Sequence, residues 1–139
     1  SRKMKLQQKL AYAGWHAQQQ NKEFIRGEQD CLTSFLDMHD TVYGTDALKD
    51  IHSKYWDTRS AIRFYREFNL TWRQWLTINK WTEVEGTGQE GDIRVVDSKR
   101  YPTVYQKHNG YWWTQHEQHG WASFTDSAWD GGNYTQWRR

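Results

Sequence analysis

The sequence predicts an α+β domain, and three observations carry that prediction. In the first half, short stretches with apolar residues at helical spacing each follow an Asp or Thr able to cap a helix. In the second half the pattern becomes short runs rich in Val, Thr, Tyr and Trp, with an Asn-Gly pair between two of them. Between the halves lies a glycine-rich pivot, Gly86-Thr87-Gly88 with Gly91. Helices first and antiparallel strands afterwards is the α+β order. No internal repeat and no domain boundary is visible, so residues 1–139 read as a single domain: an N-terminal helical extension over 1–22 and a core over 23–139.

Taken in order, residues 3–19 read as a helix whose stripe is Leu6, Leu10, Ala13 and Ala17. Its remaining surface is rich in lysine and glutamine, so this helix lies on the surface of something. Asp30 is a good N-cap, and Leu32, Phe35 and Leu36 follow at helical spacing, so a second helix starts at Cys31. Gly27 permits a tight turn before it and Gly44 ends it. Thr45 can cap a short helix through Leu48 and Ile51. Asp57 or Thr58 can cap the next, with stripe Ala61, Ile62 and Tyr65, and Thr71 one carrying Trp72, Trp75 and Leu76. Five strands are then expected: 93–96, 103–106, 111–116, 121–124 and 134–137. Turns fall at Ser98 to Arg100 and at Asn109-Gly110, and Gly131-Gly132 separates the last two strands.

The composition sets limits on function. Aromatics make up 17% of residues, with ten tryptophans, which supplies the apolar area a core needs despite a polar average. A net charge of +2 is too small to argue for nucleic acid. One cysteine excludes an internal disulfide and a thiolate-rich zinc site. No apolar run approaches the roughly 20 residues of a membrane span, and no signal peptide is visible, so synthesis in a cytoplasm without a cleaved leader is expected.

Three groups of side chains can carry chemistry. Cys31, at a helix start, feels a dipole that favours its thiolate, while Asp30 opposes it; an ordinary buried cysteine is the competing reading. His108, His116 and His119 invite a metal reading. The 116/119 spacing suits a helix, however, and this region reads as strand and loop, so neither metal nor cofactor is expected. The aromatics Trp15, Trp112, Trp113, Trp121, Trp129 and Trp137 can serve as core, as sugar-stacking surface or as docking surface for another subunit.

Gly27, Asp30-Cys31, Phe35, Gly44, Asp46, Tyr55, Thr58, Ala61, Gly91-Asp92-Ile93 and a late tryptophan, Trp129 or Trp137, occur in an informative order. Together they resemble the papain-like fold of NlpC-type cell-wall peptidases, and more narrowly a family of small domains of this kind encoded in phage tail gene clusters. The resemblance runs from about residue 24 to the end. It implies a nucleophile at Cys31, and a base at the start of the strand after the Gly-Asp strand. That position falls at Pro102-Thr103, where neither residue is a base. If Asn109-Gly110 closes a hairpin, His116 lies opposite this position and becomes the alternative base.

The expected function is therefore structural. The resemblance implies a degenerate papain-like domain in the virion, within a phage tail or tail tip, contacting other tail proteins, with several copies expected around a homo-oligomeric ring. The alternative is a cysteine hydrolase of peptidoglycan peptides with Cys31 as nucleophile, His116 as base and helix-start N–H groups at the oxyanion.

Overall fold

In a computed structural model, which describes residues 4–68, 70–97, 102–129 and 132–139, four α-helices precede and flank one antiparallel sheet. The helices are α1 (Leu6–Gln19), α2 (Cys31–Tyr43), α3 (Thr58–Glu67) and α4 (Trp72–Ile78), with a 3-10 turn at Leu48–Asp50. The strands are β1 (Thr82–Glu83), β2 (Ile93–Val96), β3 (Thr103–His108), β4 (Tyr111–His116), β5 (Gly120–Phe124) and β6 (Thr135–Arg138). Their spatial order is β1-β6-β2-β3-β4-β5.

The sheet has six strands rather than the five expected. The extra one, β1, is two residues long and pairs Thr82 with Arg138 and Glu83 with Trp137. Two residues cannot display an alternation, so nothing local announces such a strand. The other strands fall within a residue or two of their expected limits. Asn109 and Gly110 both have positive φ (51° and 82°), as a two-residue hairpin turn requires. The turn expected at Ser98 to Arg100 lies outside the described residues.

The helix caps follow the expected chemistry. Asp30, Asp57 and Thr71 each accept from backbone N–H groups of the turn they start, and Gly44 closes α2 in the left-handed conformation at φ 70°. Thr45 caps nothing. It bonds His39 at 2.8 Å and Asp40 at 2.7 Å instead.

The main core lies between the helices and one sheet face. Leu32, Phe35, Leu36 and Met38 of α2 pack with Leu76, Trp81, Ile93, Val95, Val104 and Trp137. On α1, Tyr12, Trp15, His16 and Gln19 are buried, whereas the apolar stripe Leu6, Leu10, Ala13 and Ala17 faces solvent. Tyr12 and Trp15 each bring a large aromatic surface. Their polar tips also find partners, Tyr12 Oη donating to Lys107 O and Trp15 Nε1 to Asp37 Oδ2, both at 2.8 Å. α1 thus packs on α2 and on the sheet of its own chain.

The opposite sheet face is covered by the chain segment after β5, which includes a second 3-10 turn at Asp126–Trp129. Here the Arg94 guanidinium sits over Trp112 (4.1 Å), Tyr134 (4.3 Å) and Trp129 (5.2 Å), and its Nε donates to Gln136 Oε1 at 2.8 Å. Trp112 is fully buried there, and its Nε1 donates to Asp126 at 2.7 Å.

Candidate functional site around Cys31

The site is organised by Asp30. Its Oδ1 accepts from the backbone N–H groups of Leu32 (3.0 Å) and Thr33 (2.9 Å). Its Oδ2 accepts from Tyr55 Oη (2.6 Å) and from Gly27 N (2.9 Å). Gly27 holds φ 86°, and a Cβ there would collide with the Tyr55 carbonyl, so the glycine permits this close approach. Tyr55 Oη lies 3.3 Å from Tyr65 Oη, extending the network to α3.

Cys31 is the first residue of α2, and its Sγ donates to the carbonyl of Pro102 at 3.7 Å. Residues 102–103, where the resemblance places a base, thus lie beside the sulfur, and what they present is a carbonyl. The residue keeps some surface in solvent, yet burial is the main force on its thiol, followed by the charge of Asp30; together they push its pKa up to about 12. The backbone N–H groups of Val104 and Cys31 and the charge of Arg26 pull the other way without prevailing. Tyr65 and Tyr105 are near enough to feel the sulfur's charge, and burial raises both phenols.

Chemically this is a protonated thiol, and among the described residues no side-chain base bonds to it. The groups acting on it include no histidine. The N–H groups of Leu32 and Thr33 are occupied by the Asp30 side chain, and that of Ser34 by the Asp30 carbonyl at 2.9 Å.

His116 sits at the end of β4, where its Nδ1 accepts from Gln118 N at 3.0 Å. Its ring stacks on His119 at 4.7 Å and lies 6.3 Å from Phe124. Alternation along β4 puts His116 on the same face as Trp112, away from α2, and the structure does not bring it to the thiol. His108 lies elsewhere, stacked on His16 of α1 at 4.1 Å and bonded to Glu90 at 2.6 Å. Among the described residues no group of three or more His, Cys, Asp or Glu could hold a metal ion.

Of the six tryptophans considered for contacts, Trp15, Trp112 and Trp137 are buried within the chain. Trp113 and Trp121 are half-buried and stacked on each other at 6.1 Å, and Trp129 packs on Tyr105 and Tyr134. Trp56 is 70% exposed, and nothing in its neighbours' sequence pattern distinguishes it.

The molecule is thus an α+β protein with a capped helix presenting a lone thiol to the start of a sheet strand. The sequence model of one family, described as a domain of unknown function (DUF6950), matches residues 1–130, and the chain belongs to that family. The match includes α1. No curated protein matches the chain.

Proposed function

We propose that this chain is a non-catalytic structural component of a bacteriophage tail or tail tip, built on a degenerate papain-like fold. The observation that carries the non-catalytic half is the state of Cys31. Its thiol is pushed up to about 12, donates to the Pro102 carbonyl and has no histidine acting on it. A cysteine nucleophile needs the thiolate and a base to form it. Of the helix-start N–H groups that could hold an oxyanion, those of Leu32, Thr33 and Ser34 are spent on Asp30. The tail assignment rests on the resemblance of Asp30-Cys31, Gly91-Asp92-Ile93 and their companions to phage-tail-encoded papain-like domains.

Two experiments test the two halves. Incubated with purified peptidoglycan, the protein should release no more soluble peptide than its Cys31→Ala variant. A rate abolished by that substitution would restore the hydrolase reading. Mass spectrometry of purified phage particles and of their tail fraction should find the chain at a fixed ratio to other tail proteins. Absence from assembled particles would end the tail assignment.

A further inference from the structure

We infer that the outward face of α1 is a docking surface for an acidic amphipathic helix of another protein. Leu6 is 72% exposed and Leu10 66%, and Ala13, Gly14 and Ala17 are exposed beside them. These apolar positions recur at intervals of four, three and four, the spacing of a coiled-coil seam. At 100° per residue they occupy an arc of about 60°, centred roughly 140° from the buried face of Tyr12, Trp15, His16 and Gln19. The helix therefore has two working faces, and only one is used by its own chain.

That used face holds α1 firmly. Tyr12 is tied to Lys107 and Trp15 to Asp37, both at 2.8 Å, and Met4 lies against Gly91. The outer stripe is therefore presented on a fixed support, which lowers the ordering cost of binding.

Charge selects the occupant. Residues 1–22 contain Arg2, Lys3, Lys5, Lys9 and Lys22 and no Asp or Glu, while all seventeen acids of the chain lie beyond them. Lys5, Lys9 and Lys22 are exposed. The acids that share a pocket with Lys9 are engaged elsewhere, Glu90 with His108 at 2.6 Å and Asp92 with Arg138 at 2.7 Å. A second copy of α1 would bring lysine toward lysine. A partner helix with leucines on its seam and glutamates along the side that meets Lys9 matches both the apolar stripe and the charge. The stripe is about 16 Å long. It supplies less than the roughly 800 Å² per partner of a standard interface, so this contact alone is a weak, transient one. The inference does not depend on the tail assignment, and its test touches neither Cys31 nor particle composition.

The experiment titrates the full chain, observed by amide NMR, with two synthetic three-heptad peptides. Both carry leucine at the seam; one has glutamate and the other lysine at the flanking positions. The glutamate peptide should bind in the micromolar range, with shifts confined to residues 5–18, and the lysine peptide at least tenfold more weakly. The Leu6→Ser/Leu10→Ser variant alters exposed side chains only. It should keep its near-ultraviolet circular dichroism and lose glutamate-peptide binding by at least tenfold. Equal binding of both peptides, no binding of the glutamate peptide, or binding unchanged in the double variant would overturn the inference. So would self-association through α1 in sedimentation, or uptake by phosphatidylglycerol vesicles in preference to the peptide.

Discussion

At Cys31 the helix start and the protein interior pull in opposite directions, and the interior wins. Moving the thiol from its ordinary value of 9.0 to about 12 removes roughly a thousandfold of its thiolate at pH 8. Iodoacetamide should therefore label the native protein at least a hundredfold more slowly than the protein in urea, as followed by intact mass. Two buried histidines give the pH dependence. His16 has no hydrogen-bond partner at either ring nitrogen among the described residues, and burial, then the charge of His108, pulls it down to about 2. His39 accepts the indole N–H of Trp81 at 3.0 Å, so its own proton lies on Nδ1 and donates to Thr45 Oγ1. Burial, followed by the charge of Arg139, lowers His39 to about 4. Both folded values lie below the unfolded value of about 6.5. The neutral rings therefore stabilise the fold fully above that pH, and the stability is lost as pH falls toward 4 for His39 and toward 2 for His16. Between pH 7.5 and 5 the loss should be about 4 kcal/mol in urea unfolding, and His16→Phe should remove about half of it.

At the scale of elements, α2 depends on a single carboxylate for its N-terminus and for its tie to the loop before α3. Asp30→Ala removes a cap, leaves Tyr55 Oη without its 2.6 Å acceptor and frees Gly27 N. The expected cost is about 2–4 kcal/mol in urea unfolding, while Tyr55→Phe, which leaves the cap in place, costs about 1–2 kcal/mol. This connectivity gives the Gly27, Asp30 and Tyr55 combination a structural meaning. A left-handed turn, a cap and a buried phenol meet at one point.

At the scale of the molecule, the last strand is not peripheral. β6 lies between β1 and β2, and Arg138 reaches the fully buried Asp92 through Nε and Nη2, each at 2.7 Å. The family match ends at residue 130, before this strand. A chain cut after residue 130 should nevertheless fail to fold: it unpairs β2 along one whole edge and leaves Asp92 buried without its cation. Circular dichroism and the amide spectrum of the truncated protein check this. Asp92→Ala in the full chain should cost about 3–5 kcal/mol, because it removes the buried carboxylate that accepts both Arg138 N–H groups.

The sequence by itself determined the class of fold, the helix caps at Asp30, Asp57 and Thr71, the Asn109-Gly110 hairpin and five strands, because each is written in neighbouring residues. The resemblance to papain-like peptidases, not any local pattern, implied that residues 102–103 lie near Cys31, and the Pro102 carbonyl does accept from its thiol. Tertiary structure alone decided the rest. β1 exists because β6 offers it an edge, not because two residues prefer to be extended. α1 buries its aromatic face and turns its leucine stripe outward, since the sheet rewards aromatic surface and hydrogen-bonding tips over regular spacing. His116 emerges, like Trp112, on the sheet face away from α2, because the pleat fixes the side on which alternate residues of β4 lie.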